Sequence, residues 1–144
     1  MSIMLQDNGA LEFLQARLNN SFPTSKNLTL KLFTNNIVPS STDTAATYTE
    51  ASGGGYAAIT LTTGSWTVAL NGSNIETATY AQQTFTFTGA LSGSATVYGY
   101  YVVDSASTPA IMWAETITPF TPANNGDQIL ITPMFQLSHG TPAA

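Results

Sequence analysis

The sequence predicts an all-β fold, an antiparallel two-sheet sandwich preceded by one short α-helix. Three observations carry that expectation. From residue 27 onward, apolar and polar residues alternate in short runs, the period of half-buried strands. Turn-forming pairs and triplets recur between those runs. Roughly one residue in six is threonine, which suits a pleated, half-buried surface.

The first segment differs from the rest. Asp7 or Asn8 is placed to cap a helix over residues 8–19, in which Leu11, Leu14 and Leu18 recur at spacings of three and four. Phe13 broadens that stripe. Glu12 near the start and Arg17 near the end suit the helix dipole. Asn19-Asn20 and Pro23 stop the helix, and its leucines are expected to cover one edge or mouth of the sheets.

Leu28, Leu30 and Leu32 then alternate with Thr29, Lys31 and Phe33, a strand with one face inward. Residues 35–55 form a long connection, either a functional surface loop or a wall lying over the sheet. It ends in Gly53-Gly54-Gly55, read as a flexible hinge entering the next strand. Further strands are expected at 56–61, 65–70, 83–88, 95–103, 110–117 and 128–137. Thr63-Gly64, Asn71-Gly72, Ser92-Gly93, Pro109 and Asn125-Gly126-Asp127 mark the turns. The run from Val97 to Val103 is apolar almost throughout, as in a strand covered on both faces. Pro133 points to an edge position or a bulge in the last strand. About seven such strands at regular spacing read as a sandwich or jelly roll.

A chain of 144 residues suits one domain: an N-terminal arm and helix over 1–22, the β-sandwich over 27–137, and a loose tail over 138–144. Charged residues make up only 8%, three cations (Arg17, Lys26 and Lys31) against eight carboxylates, for a net charge of −5. That balance argues against a nucleic-acid partner, which needs a basic stripe to displace phosphate counterions. It argues equally against a polybasic membrane anchor, and no apolar run approaches a membrane span. The absence of cysteine removes disulfides and thiolate metal sites. Met1 to Leu5 is apolar without a basic leader, so no signal peptide is expected. The polar surface must consist mostly of hydroxyls and amides, which fits a protein fixed into a larger assembly.

Candidate chemistry is sparse. His139, the only histidine, falls in the expected loose tail, where a base would not be held in place. With no second histidine and no cysteine, no metal or cofactor is expected. A glycosidase-like pair of carboxylates would centre on Glu115, which follows Trp113 on a strand, but no spacing singles out its partner among Glu76, Asp104 and Asp127. The glycine triplet lacks the Lys-Ser/Thr of a phosphate loop, and Asn125-Gly126-Asp127 lacks the acidic density of a calcium loop. Asn27-Leu28-Thr29 and Asn71-Gly72-Ser73 match the glycosylation pattern, which matters only in a secreted eukaryotic protein. Trp66, Tyr98, Tyr100, Tyr101 and Trp113 lie on expected strands. Core packing is the ordinary role for such rings, with Tyr101 and Tyr56 as the exposed candidates for stacking on sugars.

Several stretches carry a family resemblance. They are Asn27-Leu-Thr-Leu-Lys-Leu-Phe-Thr-Asn-Asn36, Tyr48-Thr-Glu-Ala-Ser-Gly-Gly-Gly-Tyr-Ala57, Val97-Tyr-Gly-Tyr-Tyr-Val-Val-Asp104, Trp113-Ala-Glu115 and Pro119-Phe-Thr-Pro-Ala-Asn-Asn-Gly-Asp127. In this order, from about residue 10 to residue 138, they resemble a family of small virion structural proteins of tailed bacteriophages. The resemblance implies a non-enzymatic capsid decoration, or cement, protein. Such a protein would bind the major capsid protein on the outer head surface, after assembly in the bacterial cytoplasm, and act as a homotrimer. It supplies no catalytic residues. Attachment is expected through the apolar Ile3, Met4 and Leu5 or through the loop from Asn35 to Gly55. The alternative is a tail or fibre component that holds host-surface glycan through Tyr101 or Trp113.

Overall fold

The computed structural model describes residues 4–5, 7–18, 27–73, 75–106 and 108–137. The chain is mostly β, in antiparallel sheets, with one α-helix. Its elements are β1 (Met4–Leu5), α1 (Asp7–Leu18), β2 (Leu28–Phe33), β3 (Ile59–Leu61), β4 (Thr67–Leu70), β5 (Glu76–Thr79), β6 (Gln83–Thr86), β7 (Val97–Val103), β8 (Ile111–Phe120), β9 (Gln128–Ile131) and β10 (Met134–Leu137). Two single 3-10 turns, Ala45–Thr47 and Ser92–Ser94, sit in the connections.

The largest sheet has the order β1-β8-β7-β2-β3. Its centre is β7, where burial is almost continuous, as its unbroken apolar run requires. Alternation sorts side chains to two faces. Leu30, Leu32, Val102 and Trp113 point into the main core, where Phe85, Ile129 and Ile131 from the β6-β9 pair and Phe135 from the β10-β5-β4 sheet meet them. Phe33, Tyr101, Val103, Ile111 and Ala114 form a second cluster on the opposite face.

That second face is closed by the long connection, which is therefore the wall of the two expected alternatives. Tyr48 is its anchor, with its ring stacked on Tyr101 at 5.1 Å and tilted against Phe33 at 5.0 Å. The wall is laced to β2. Thr34 N–H donates to Thr49 O at 2.9 Å, Ala51 N–H donates to Leu32 O at 2.9 Å, and Lys31 Nζ reaches Glu50 Oε2 at 2.8 Å.

Several expectations are corrected. The helix forms over Asp7–Leu18, but Leu11, Leu14 and Leu18 are 53%, 59% and 75% exposed and cover no sheet edge. Instead α1 approaches β8 at Gly9, where even a Cβ would collide with the Met112 backbone. The expected 56–61 strand shortens to β3. The expected 128–137 strand splits at Thr132-Pro133, with β9 joining β6 and β10 joining β5. A proline without an N–H breaks one ladder, and the chain changes sheet there. Strands β1 and β5 are additional: the two residues of β1 and the Glu-Thr-Ala-Thr of β5 carry no apolar alternation to mark them. The glycine triplet is no hinge: Gly53, Gly54 and Gly55 all have positive φ (76°, 55° and 77°), the region glycine enters without penalty. The turn is fastened by Thr88 N–H to Gly54 O at 2.9 Å and Ser92 N–H to Ser52 O at 2.8 Å.

Candidate functional site

The residues with candidate chemistry are mostly occupied in holding the fold. The Tyr100 hydroxyl donates to Glu115 Oε2 at 2.6 Å across the β7-β8 pair. Glu50 takes both Lys31 and the Tyr56 hydroxyl, the latter at 3.1 Å. Asp43 accepts from Ser40 N–H at 2.8 Å and from the Tyr48 hydroxyl at 2.7 Å, tying the wall to itself. Asp104, buried after β7, accepts the Ala110 N–H at 2.8 Å and closes the turn into β8. Asp127 accepts the Ala123 and Asn124 N–H groups at 2.8 and 2.9 Å. Those two donors hold its carboxyl below the usual range. The Asn125-Gly126-Asp127 segment is thus a self-capped turn. Among the described residues, no three of His, Cys, Asp and Glu are grouped to hold a metal ion.

The aromatic candidates are core residues. Tyr101 is 3% exposed and Trp113 is 1% exposed, so neither offers a ring face to a sugar from outside. Tyr101 is hidden because the wall lies over its face of β7, a contact made by residues some fifty positions away in the chain. Tyr56 is half-buried, stacked on Phe85 at 5.8 Å, and its hydroxyl accepts the Leu32 N–H at 3.2 Å. Beside it an open cleft of about 250 Å³ is lined by Tyr56, Ile59, Thr84, Phe85, Thr86 and Phe87, with no charged group among them.

Burial has a consequence for pH. Desolvation raises the pKa of Tyr48, Tyr56, Tyr100 and Tyr101 well above the ordinary phenol value, with nearby carboxylates adding to it. A folded pKa above the unfolded one gives stability that is complete below about pH 10 and is lost as pH rises toward the folded value. Each such tyrosine steepens the loss by at most about 1.4 kcal/mol per pH unit. Tyr80 differs: the Thr62 N–H donates to its hydroxyl at 3.1 Å and lowers its pKa. An absorbance titration of phenolate is expected to show Tyr80 ionising early. The four raised tyrosines should follow in one step that coincides with loss of the β-sheet circular-dichroism signal. Smooth ionisation of all of them without unfolding would contradict the buried network.

Among the described residues, several large apolar side chains are left exposed. Leu11, Leu14 and Leu18 lie at exposed positions of α1, and Val38 is 85% exposed in the wall. The loop expected to attach is tied to the start of α1. The Asp7 N–H, at the start of α1, donates to Ser41 O in the wall at 2.9 Å. Directly before it, Met4 and Leu5 pair as a short edge strand with Ala114 and Trp113 of β8. Ile3 and His139 lie outside the described residues. Val68, Leu70, Leu130 and Leu137 are also exposed large apolar residues. Apolar residues on a strand are the sequence signal for them, since such residues imply a cover.

The chain matches no protein-family model, no curated protein and no solved structure.

Proposed function

We propose that this chain is a non-enzymatic structural protein of a tailed-phage virion, a decoration protein that binds the major capsid protein on the outer head surface as a trimer. It would be assembled in the bacterial cytoplasm, and its sheets would have jelly-roll-like connectivity. The observation that carries the proposal is the leucine stripe of α1, exposed at all three of Leu11, Leu14 and Leu18 on a chain with 8% charged residues. Apolar surface of this kind marks an interaction site when it is contiguous. Attachment through a neutral surface avoids removing unpaired ions from water, which costs several kcal/mol each by order of magnitude. It also leaves few charge pairs for salt to screen. Copies arranged around a symmetry axis bind a shell at several points at once, so modest contacts give durable attachment.

The attachment face in this reading joins α1 to the β1 segment of Met4 and Leu5. The glycan reading lacks its residues, because Tyr101 and Trp113 lie inside the fold. Co-sedimentation with empty heads tests the proposal, using a Leu11→Ser, Leu14→Ser, Leu18→Ser triple variant and a deletion of residues 1–6. Because the leucines are exposed, the triple variant should keep its circular-dichroism spectrum while head binding falls by about tenfold or more, the equivalent of about 1.4 kcal/mol. Head binding at the wild-type level by both variants would reject this face. No binding by the wild-type chain would reject the decoration role itself.

A further inference from the structure

Strand β4 is the end strand of the β10-β5-β4 sheet, and all four of its residues are exposed. Its ladder with β5 determines which backbone groups are spent. Asn71 N–H donates to Ile75 O at 2.9 Å, and the register pairs Leu70 with Glu76, Ala69 with Thr77 and Val68 with Ala78. Hydrogen-bonded and non-bonded pairs alternate along an antiparallel ladder. Ala69 and Thr67 therefore bond inward to β5, while the N–H and C=O groups of Val68 and Leu70 point away from the sheet. Among the described residues, no strand pairs with that outer edge.

The side chains add a second feature. Register places Val68, Ala78 and Phe135 in one row and Leu70, Glu76 and Leu137 in the next, all on one face. Phe135 belongs to the main core, but Val68, Leu70 and Leu137 are 73%, 61% and 48% exposed. The core-facing side of the sheet thus continues past the core with nothing on it among the described residues. Natural edge strands are commonly guarded by charge, proline or a bulge. From Thr60 to Ile75 there is no charged residue and no proline, in a chain of net charge −5.

We infer that β4 pairs antiparallel with β4 of a second copy around a two-fold axis. The electrostatics allow a second copy here and nowhere that carboxylates would meet. Two copies of a net-negative chain repel wherever their carboxylates meet, and this edge brings none together. The edge is also self-complementary, as an isologous contact requires. With the axis at Ala69, Val68 of each copy stands opposite Leu70 of the other on the apolar face. Each such pair exchanges both of its outward backbone bonds, so four hydrogen bonds and a continuous six-stranded sheet result. The contact is independent of the decoration role. In a decorated shell it would join copies from neighbouring trimers.

Cross-linking tests the register directly, because the chain has no cysteine of its own. At the axis, Ala69 faces its own counterpart in a non-bonded pair with Cα atoms about 4.5 Å apart, within disulfide reach. Thr67 would lie about 14 Å from its counterpart. Mild oxidation of purified Ala69→Cys is expected to yield a covalent dimer on a non-reducing gel, at about ten times the fraction formed by Thr67→Cys. Adding Leu70→Pro removes an outward donor but no bond to β5, and it should bring Ala69→Cys down to the Thr67→Cys level. Absence of the Ala69→Cys dimer, or equal cross-linking at both positions, would overturn the pairing. No heads are present, so the outcome is separate from the head-binding result.

Discussion

Gly99→Ala is expected to destabilise the chain by about 3 kcal/mol or more, beyond the usual range for added core bulk. Gly99 lies mid-sheet on β7, paired with Phe33 of β2 on one side and Thr116 of β8 on the other. A Cβ there would collide with the Glu115 carbonyl oxygen and with the Phe33 ring. The ring is fully buried and cannot swing into solvent, and the carbonyl belongs to the backbone. Register shifts between Val97 and Gly99, so the glycine also marks a bulge. Urea denaturation of Gly99→Ala and of Gly99→Ala combined with Phe33→Leu separates the two clashes. The second change should recover only part of the loss, because the carbonyl collision remains. Full recovery, or a Gly99→Ala midpoint within error of wild type, would show that β7 and β8 are not this close.

Trp113→Ala is expected to cost about 3–5 kcal/mol, the range for deleting a large buried ring. Trp113 lies on β8 in the main core. Its ring meets Trp66 edge-on at 5.9 Å and Phe135 at 5.5 Å, and it is 1% exposed. Trp113→Phe should cost far less. The indole Nε1–H is buried and makes no hydrogen bond among the described residues. An unsatisfied buried donor carries a penalty of about 1–3 kcal/mol, which phenylalanine relieves while it keeps most of the apolar contact. Chemical denaturation of the three proteins gives the comparison. Equal losses for Trp113→Ala and Trp113→Phe would mean that burial of the ring is not what Trp113 contributes.

Legibility in the sequence followed how local each cause was. Strand β2 could be read because Leu28, Leu30 and Leu32 repeat the pleat period within six residues, and β7 because its apolar run needs cover on both sides. Strand β5 could not. Glu76-Thr77-Ala78-Thr79 has no apolar alternation, and it becomes a strand only because β4 and β10 flank it. The leucine period of α1 was equally plain, yet periodicity states only that a face is apolar. Whether that face is buried depends on Gly9, which lets the helix approach β8 on another side.

The candidate site divides the same way. The scarcity of charge, and with it the neutral character of any binding surface, is a property of composition that no folding can alter. The position of each apolar group relative to water is not. Tyr101, one of the two rings singled out as candidates for exposure, lies inside because Tyr48 stacks on it from across the wall, while Leu14 and Val68 lie outside because nothing in the described chain reaches them. Charge, and the periodic elements α1, β2 and β7, are set by neighbours along the chain and were determined by the order of residues alone, whereas β5 needed its flanking strands. Burial is set by neighbours in space, through contacts between residues tens of positions apart, and only the tertiary structure decided which apolar surfaces were left to meet a partner.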